Sequence, residues 1–560
     1  MKPFSQSEPG RPRALRIAST LLLLLAFVIG SGLRLAGVGP AFLFGDELHS
    51  LFALPQGYGH LMAHFSATGS GLGLPLLQRA FVDLFGHNHW AIRAPAWIPG
   101  LLLLPAAWWI TRRWLGDGIA IGTTWLVATS PLLIFYSRFA RSYALVALLT
   151  FVLLDQVQAA VSDARFSRGR FVGLVVLAAL IPFVHPTALG SVVPILLAGA
   201  GAIALGNAQN ESLKLQRAAG LIGVLPVAGA ICLALHWPAR ESLIDFVNAK
   251  TIQLYSGAFG PLDIARLATG NDTLTIGLGG LALIGAVAIM GRYTWQAAPI
   301  VAAAVGPLLV ISIVQPYGDA YAYGRYVIAA LPPLFVIVAS GIEWISALFW
   351  SRPGRWTGPI AAGLAMLVLI SGPLPTFLGP TPQHANTYLG LRDLPRFNEP
   401  WPGIPAFYTS LPQAEGQPPT LLEVPALTTR TRHLYRLYQR IHGGQTLLGP
   451  LPGEFPTIPA GPYLAPTTVG RQHASLVDYV VVHRNVSREI ARYWDWVYAS
   501  ESGLSEVSAD EAFMARHAQY GGLLPNPSPL LWAGLEQRLG APVYQDDDVV
   551  VFRVAEPLAH

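Results

Sequence analysis

Two adjacent carboxylates, Asp46 and Glu47, are the residues of this sequence best suited to chemistry. They stand in the stretch FGDELHSLF, residues 44–52, shortly after an apolar run at residues 17–33. A carboxylate pair beside a membrane can accept a proton or hold a metal ion, and burying it there is costly. A structural role is the alternative, because Asp after Gly caps a helix well and Glu suits the first turn. The two roles are compatible, since a helix N-terminus also fixes the carboxylate in place.

A pair of arginines occurs in the stretch SRFARSY, residues 137–143. Arg138 and Arg141 are three residues apart, so on a helix they would share one face. Guanidinium groups hold their charge permanently and bind phosphate oxygens in pairs. The natural anion near a bilayer surface is a lipid phosphate, and Tyr143 belongs to the same stretch. The alternative is that these side chains only snorkel toward the membrane edge.

Other polar residues stand at the ends of apolar runs. His185 lies between two of them, where a lone histidine is most often a structural hydrogen-bonding group. Arg325 and Tyr326 open a later run, and the arginine could either snorkel or reach the same phosphate. His60 and His64 have a spacing that could bind a metal, but the histidines of this loop form no recognisable ligand set. The sequence has no Gly-rich phosphate loop, no CxxC and no nucleophile elbow, so nothing in it indicates ATP or nicotinamide binding.

Composition indicates a membrane protein with several spans. The 560 residues are 52% hydrophobic and 12% charged, against roughly 25% charged residues in soluble domains. The net charge of +5 is spread over short loops between apolar runs, which is typical of orientation signals and argues against nucleic-acid binding. The one cysteine, Cys232, excludes an intrachain disulfide.

The apolar runs predict a mainly α bundle with about eleven transmembrane spans. The runs are residues 17–33, 94–110, 118–135, 142–161, 171–184, 187–206, 218–237, 274–290, 297–314, 327–349 and 357–378. The fourth and fifth runs are the weakest. The fourth contains polar residues at 155, 156 and 158, and the fifth is short.

The distribution of basic residues predicts the orientation. The segment before the first run is basic, and each loop expected on the same side carries at least one Lys or Arg. On the other side, the long stretch 38–93 contains only Arg79 and Arg93. Positive loops stay in the cytoplasm, so the N-terminus is expected inside and Asp46 outside. Arg34, at the outer end of the first run, is an exception to this pattern.

The chain is expected to have three parts. Residues 1–15 read as a disordered cytoplasmic tail, residues 16–379 as the transmembrane domain and residues 380–560 as a compact extracytoplasmic α/β or α+β domain. In the last part, residues 476–484 read as a strand, and residues 542–554 read as a hairpin with its turn at 546–548.

Taken in order, the motifs resemble those of a known family. An Asp-Glu pair after the first run is followed by Arg93-Ala94-Pro95, SRFARSY, a His between the fifth and sixth runs and a late Arg-Tyr. In their order and sidedness they resemble the GT-C glycosyltransferases of the protein O-mannosyltransferase and aminoarabinose (lipid A) transferase type. The resemblance covers roughly residues 15–350.

This resemblance implies a multi-pass enzyme of the cell (plasma or inner) membrane that uses a polyprenyl-phosphate-linked sugar on the extracytoplasmic face. The acceptor would be a glycan, a glycolipid or a protein. The implied site residues are Asp46 as catalytic carboxylate, Glu47 as its neighbour, Arg138, Arg141 and Arg325 at the donor phosphate, and Tyr143, His185 and Tyr326 as further candidates. Members of the family differ in metal use. A divalent metal could therefore be required, although no ligand set and no certain cofactor can be assigned here.

The mechanism expected from these residues is a direct displacement. Asp46 would act as general base on the acceptor hydroxyl, the arginines would stabilise the leaving phosphate, and the anomeric centre would invert. The alternative functions are a transporter or lipid flippase and a non-catalytic scaffold. The charged residues collect near one membrane surface rather than at the midplane, and no inverted repeat is found, so the transferase is favoured over the transporter.

Overall fold

A computed structural model describes most of the first two thirds of the chain and selected parts of the rest. The described residues are 13–36, 38, 47, 54, 57–65, 71–86, 88–163, 166–206, 211–251, 269, 272–314, 325–371, 404–411, 419–424, 434–435, 438, 445–448, 478–485, 489, 534–537 and 539–554. They fall into two compact units, of which the first contains the residues up to 371 and the second those from 404 onward. The expected boundary at residues 379–380 lies outside the described residues, and so does most of the expected tail.

The first unit is a helical bundle. In chain order its helices are α1 (Arg13–Leu35), α2 (Gly57–Ala63), α3 (Gly73–Phe85), α4 (His89–Leu115), α5 (Asp117–Thr129), α6 (Pro131–Arg138), α7 (Tyr143–Ser162), α8 (Arg168–Val184), α9 (Leu189–Leu205), α10 (Glu211–His236), α11 (Arg240–Thr251), α12 (Asp272–Tyr293), α13 (Ala298–Val314), α14 (Leu331–Phe349) and α15 (Thr357–Ser371). Every apolar run of the sequence corresponds to one of these helices or to the consecutive pair α5 and α6. The predicted mainly α architecture is therefore confirmed.

Seven helical segments of the described chain are long and apolar enough to cross a membrane, and the bent pair α5–α6 would make an eighth. One of the seven, Thr273–Val310, contains two of the predicted runs, separated by the short 3-10 turn Thr294–Ala297. Helices α8 and α15 are shorter, with 17 and 15 residues, and a perpendicular span needs about 20. The multi-span class is confirmed, while the number of about eleven spans stays a prediction.

Close helix crossings hold the bundle together. Helices α12 and α14 meet at Gly285 and Gly341. A Cβ atom at Gly285 would collide with the carbonyl oxygen of Ile337, and one at Gly341 with that of Leu281. Small residues at such crossings bring two backbones into contact, and this packing is how helices associate in lipid, where no water is expelled.

The end of α4 near Leu115 carries polar contacts between neighbouring helices. Arg113 bonds to the carboxylate of Asp155 on α7 at 3.1 Å, and Trp114 donates to the other oxygen of Asp155 at 3.2 Å. Arg217 on α10 donates to two carbonyls in the last turn of α7. All these basic residues belong to loops or helix ends expected on the cytoplasmic side.

The second unit contains a helix and a five-stranded mixed sheet. Its elements are α16 (Ala406–Ser410), β1 (Thr420–Val424), β2 (Gln445–Leu448), β3 (Tyr479–His483), β4 (Tyr544–Gln545) and β5 (Val549–Arg553). The strand order is β2-β1-β3-β5-β4, with β1 parallel to both β2 and β3, and β5 antiparallel to both β3 and β4. The predicted strand at 476–484 and the predicted hairpin are confirmed, and the domain is of the expected mixed α and β type.

The hairpin turn is closed by the side chain of Asp546. Its carboxylate accepts the backbone N–H groups of Asp548 and Val549 at 2.8 and 2.7 Å. An Asp that binds the backbone two or three residues later mimics a turn with its own side chain, which explains the aspartate at the first position of this turn.

The two faces of this sheet differ in chemistry. One face packs an apolar core, formed by Leu422, Val424, Val480, Val482, Leu535, Val550 and Phe552. Because successive side chains of a strand point to opposite faces, Glu423 and His483 lie on the other face. There the Nε2 atom of His483 contacts the Glu423 carboxylate at 2.9 Å, and Nδ1 contacts the Glu489 carboxylate at 2.9 Å. The Glu423–His483–Glu489 trio is called the glutamate cluster below.

The glutamate cluster is completely enclosed. Its three members are at most 1% exposed at their side chains. Tyr408 donates to Glu423 at 2.8 Å, and Tyr438 donates to Glu489 at 2.7 Å. Burial by itself lowers the pKa of His483, but the carboxylates of Glu489 and Glu423 raise that pKa to about 10. The ring is therefore an imidazolium that donates to one carboxylate from each nitrogen.

Candidate functional site

The described half of the Asp46-Glu47 pair, Glu47, is the centre of a buried clamp. Its carboxylate accepts two parallel hydrogen bonds from Arg93, with Nε–Oε1 at 2.8 Å and Nη2–Oε2 at 2.9 Å. Arg93 also donates from Nη1 to the carbonyl oxygen of Val38 at 2.6 Å, and the backbone N–H of Ala140 donates to Glu47 Oε1 at 2.7 Å. We call Glu47, Arg93 and the Ala140 amide the Glu47 clamp.

The Glu47 clamp joins distant parts of the chain. Both charged side chains are 1% exposed, and a fully buried pair of this kind is held by complete hydrogen bonding rather than by solvent. Helix α4 presents Arg93 in its second turn because Asn88 caps the helix, with its side chain accepting the Ala91 N–H at 2.9 Å. Since Glu47 is occupied by Arg93 and Ala140, its geometry suits a fixed anchor for its neighbour better than proton transfer. Asp46 itself lies outside the described residues.

The SRFARSY stretch forms a helix end and a turn rather than one continuous helix. Helix α6 ends at Arg138, and Phe139 has extended backbone angles, φ −108° and ψ 128°. Arg138 and Arg141 therefore do not share a helical face, which corrects the interpretation from their spacing. Both are buried, with 6% and 1% exposure. Arg138 and Arg93 lie close enough for their charges to interact.

Five of the predicted residues meet in a second group, which we call the arginine cluster: Arg141, Tyr143, His185, Arg325 and Tyr326. The Tyr143 ring lies 5.1 Å from the His185 ring and 6.4 Å from the Tyr326 ring, centroid to centroid. The rings of His185 and Tyr326 are 5.7 Å apart. The Arg141 guanidinium carbon stands 5.9 Å from the centroid of the Tyr143 ring, and that of Arg325 stands 5.1 Å from the Tyr326 ring.

The local backbone explains how these residues reach one place. Tyr143 opens α7, and His185 occupies the break between α8 and the 3-10 turn Pro186–Ala188, with extended backbone angles. The residue before a proline disfavours helical angles, so the His-Pro pair ends α8 at this point. Thr187 Oγ1 lies 2.8 Å from His185 Nδ1, which fixes the ring. Arg325 donates to the Tyr326 hydroxyl at 3.3 Å.

The electrostatics of the arginine cluster are strongly positive. Burial lowers the pKa of His185, and the charges of Arg141 and Arg325 lower it further, to about 3. The imidazole is therefore neutral at physiological pH. Among the described residues, the charged groups that act on its pKa are the guanidiniums of Arg141 and Arg325, and guanidinium groups are well suited to bind anions.

The arrangement brings together most of the candidates from the sequence. The arginine cluster contains five of the eight, and the turn between α6 and α7 links it to the Glu47 clamp, since Ala140 belongs to the clamp and Arg141 to the cluster. Arg138 is not part of the arginine cluster, and its charge interacts with that of Arg93 in the Glu47 clamp. Sequence reasoning noted Arg93 in the Arg-Ala-Pro motif and as one of two basic residues of the long outer stretch, but it assigned Arg93 no role at the site.

No group of three His, Cys, Asp or Glu residues in the described part of the chain could hold a metal ion. His60 and His64 stack on each other with ring centroids 3.9 Å apart, and Nδ1 of His64 bonds to the backbone carbonyl of His60. Two histidines with no third His, Cys, Asp or Glu ligand among the described residues fall short of a metal site.

Comparisons with known proteins bear on the fold. A scan against protein-family models finds no match, and a search of curated proteins finds no similar sequence. Among solved structures, the crystal structure of ArnT from Cupriavidus metallidurans in the apo state is similar over 96% of this chain and 98% of that one, with 13% sequence identity and a TM-score of 0.52. The structure of the same protein bound to undecaprenyl phosphate is similar over 97% and 99%, with 12% identity and a TM-score of 0.52.

The similarity extends over nearly the whole length of both chains, so it includes residues on both sides of the expected domain boundary. At this level of sequence identity it concerns the backbone fold. The predicted resemblance to GT-C transferases of the aminoarabinose type is thus confirmed as a shared fold.

Proposed function

We propose that this chain is a membrane glycosyltransferase. It would move a sugar from a polyprenyl-phosphate donor to an acceptor hydroxyl on the extracytoplasmic face of the cell membrane. The observation that carries the proposal is the arginine cluster, in which Arg141 and Arg325 lie beside the neutral ring of His185. Support also comes from the shared fold, since one structure with that fold was solved with undecaprenyl phosphate bound.

The arginine cluster suits the phosphate of a lipid-linked sugar. Guanidiniums match the geometry of phosphate oxygens and remain charged at every physiological pH. A neutral His185 adds no further charge, and it can still exchange a hydrogen bond with a sugar hydroxyl or a phosphate oxygen. In this proposal Arg141 and Arg325 hold the donor phosphate, and Arg138 contributes positive potential from the clamp side.

The reaction is a single displacement at the anomeric carbon. The acceptor oxygen attacks that carbon, its proton passes to the Asp46 carboxylate, and the bond between the carbon and the phosphate oxygen breaks. The electron pair of that bond leaves with polyprenyl phosphate, whose added negative charge Arg141 and Arg325 stabilise. Attack from the side opposite the phosphate inverts the anomeric centre, and no second carboxylate is needed as nucleophile.

Glu47 has a positioning role in this scheme. It is adjacent to Asp46 in the chain and is fixed by Arg93 and by the Ala140 amide. The clamp would therefore hold the base at a set distance from Arg141, the residue that follows Ala140. Orientation of the reacting groups is one of the larger contributions that a protein can make to a reaction rate.

The test is transfer by the purified protein in lipid nanodiscs. A panel of polyprenyl-phosphate sugars is offered with glycan, glycolipid and peptide acceptors, and the products are identified by mass. We expect the parent protein to form a product with inverted anomeric configuration. Asp46→Asn should fold normally and lower the rate by roughly 10²–10⁴-fold, since that is the usual contribution of one general base.

Two outcomes would contradict the proposal. Transfer by Asp46→Asn at the parental rate would remove Asp46 as the base. Movement of the labelled lipid-linked sugar across the bilayer of proteoliposomes that contain the parent protein, without any product, would favour a flippase. Arg113→Gln is the matched control, because it also removes a charge. Arg113 lies at the end of α4 opposite to Arg93 of the Glu47 clamp, and it pairs with Asp155.

A further inference from the structure

Arg34 is a fully buried cation at the end of α1, with 0% exposure. A charge in the interior of a membrane-type bundle is costly unless its hydrogen bonds are satisfied. In the described residues its acceptors are backbone carbonyls. Nη1 donates to Gly30 at 2.9 Å and to Ala128 at 3.0 Å, and Nη2 donates to Val127 at 2.7 Å.

The two carbonyls on α5 need a donor because the helix is broken just beyond them. In a continuous helix the carbonyl of Val127 would accept the N–H of residue 131, but residue 131 is proline and has no N–H. Ser130 is extended, with φ −62° and ψ 118°, so α5 ends at Thr129 and α6 leaves at an angle of 56°. Arg34 supplies the hydrogen bond that Pro131 cannot donate to Val127, and a second one to Ala128, whose helical partner is displaced by the break. Its charge also compensates the negative end of the α5 dipole.

Close packing of α1 on α5 brings Arg34 to this point. A Cβ atom at Gly30 would lie only 2.9 Å from the Cβ of Ala128, so the two backbones touch one turn before Arg34. Trp125 of α5 donates from its indole nitrogen to the carbonyl of Leu22 at 3.1 Å, which adds a second contact between the same helices.

The break determines where the functional turn lies. Helix α6 begins at the break and leads directly into Arg138, then into Ala140, which donates to Glu47, and into Arg141 of the arginine cluster. Arg34 contacts none of these residues in the hydrogen bonds above, and its guanidinium is enclosed by carbonyls. An influence on the donor would therefore be indirect, and the packing of α5 and α6 provides one route for it.

We propose that Arg34 is a positioning residue, which closes the broken end of α5 and thereby holds α6 and the turn at residues 138–141 in place for the donor phosphate. This inference rests on the proposed function for its effect on the donor, while its effect on α6 can be measured without any substrate. The proposed role also explains why Arg34 is basic. It stands at the end of α1 that is expected on the outer side, where the positive-inside pattern predicts few basic residues.

The test compares Arg34→Met with a matched control, Arg217→Met. Arg217 likewise donates to two carbonyls at a helix end, those of Ala160 and Val161 on α7, but at the other end of the bundle. Hydrogen exchange in nanodiscs reports on α6, and native mass spectrometry reports on the affinity for undecaprenyl phosphate. Arg34→Met should exchange the amides of residues 132–141 at least about tenfold faster and bind the lipid about tenfold more weakly, because a small misplacement of binding groups is costly.

Arg217→Met should leave both of these readouts unchanged and speed exchange only near residues 157–162. Arg34→Lys keeps the charge but has a single ammonium in place of the guanidinium fork, so an intermediate affinity is expected. If Arg34→Met does not fold, hydrogen exchange and lipid affinity are measured on Arg34→Lys instead. The double variant Arg34→Met/Pro131→Ala should regain thermal stability, because residue 131 then has an N–H, without regaining lipid affinity.

Unchanged exchange at residues 132–141 in folded Arg34→Met would overturn the proposal. Equal loss of lipid affinity in Arg217→Met would overturn it as well, because the effect would then be one of general stability. Failure of the parent protein to bind any polyprenyl phosphate would contradict the proposed function instead, and the exchange measurement alone would then decide the role of Arg34.

Discussion

Two buried histidines of this protein have opposite electrostatic surroundings. His185, in the first unit, faces the guanidiniums of Arg141 and Arg325, and its pKa is lowered to about 3. His483, in the second unit, stands between the carboxylates of Glu423 and Glu489, and its pKa is raised to about 10. Burial alone disfavours the charged form of both rings. Burial and the two guanidiniums both keep the His185 ring neutral, whereas the carboxylates overcome the effect of burial and make the His483 ring a cation.

In our proposal the surroundings of His185 receive an external ligand, while those of His483 support the fold from within. In the glutamate cluster each nitrogen of the His483 ring contacts a carboxylate, and each carboxylate accepts a hydrogen bond from a tyrosine hydroxyl. Around His185 both charges that act on the ring are positive. Fixed guanidiniums suit an anionic ligand, whereas an imidazolium held between two hydrogen-bonded carboxylates stabilises the fold.

The largest expected effect concerns the arginine cluster. Arg141→Gln combined with Arg325→Gln should weaken binding of undecaprenyl phosphate by roughly 100- to 10,000-fold, since each hydrogen-bonded charge contributes about 1.5–3 kcal/mol. Native mass spectrometry or a labelled-lipid titration measures the affinity. If the double variant bound the lipid as tightly as the parent, the arginine cluster would not be the phosphate site, and the proposed difference between the two histidine surroundings would be contradicted.

The glutamate cluster should respond in stability and not in lipid binding. Glu489→Ala leaves the His483 cation with one carboxylate and removes the acceptor of the Tyr438 hydroxyl. Breaking a buried ion pair in this way typically costs about 3–5 kcal/mol. Denaturant-dependent hydrogen exchange of residues 479–483 measures the loss, and unchanged exchange there would show that the cluster does not support the sheet.

The pH dependence of the two units should run in opposite directions. His483 has a pKa of about 10 in the folded protein and an ordinary value of 6.5, so its contribution to stability is complete below pH 6.5 and is lost as pH rises to 10. His185 has a lowered pKa of about 3, so its contribution is complete above pH 6.5 and is lost as pH falls to 3. Each change should amount to a few kcal/mol of unfolding free energy.

Hydrogen exchange at residues 479–483 and at residues 181–190 follows the two contributions separately in the intact protein. The control for the second unit is Glu423→Gln with Glu489→Gln, which removes both carboxylates from His483 and should abolish its alkaline slope. If the stability of both units changed with pH in the same direction, the opposite charge states of the two rings would be contradicted.

The smallest effect is expected from a charge pair that is partly open to solvent. The Arg113 side chain is 49% exposed and bonds to Asp155 at 3.1 Å. Exposed pairs contribute about 0–1 kcal/mol, and Trp114 remains as a donor to the carboxylate. Arg113→Gln should therefore change the melting temperature only slightly and leave lipid affinity unchanged. A loss of affinity in this variant would indicate that positive charge anywhere in the bundle attracts the lipid.

Local patterns predicted the helices well. A span of apolar residues long enough for a bilayer is a property of the chain segment itself, and each predicted run corresponds to a helix. The Ser130-Pro131 break and the turn at Asp546 were also predictable, because proline and aspartate act on their immediate neighbours. The strands β1 and β2 were missed, since four or five residues among prolines give little periodicity, and their pairing with β3 is parallel and distant.

Contacts between distant residues were predictable only in part. The order of motifs brought Arg141, His185 and Arg325 into one proposed site, and the structure places them together. The partners of Glu47 and the role of Arg34 were not predictable, because each depends on how separate helices pack. No spacing in the sequence relates Glu423 to His483 and Glu489, so the glutamate cluster carried no sequence signal at all.

The position of the donor can be tested by a structure of the Asp46→Asn variant in nanodiscs with a bound polyprenyl-phosphate sugar. The substitution is included to prevent turnover. We expect the donor phosphate within hydrogen-bond distance of the Arg141 and Arg325 guanidiniums, with the anomeric carbon facing residue 46. A phosphate bound elsewhere, with both guanidiniums more than one water layer away from it, would show that the arginine cluster is not the donor site.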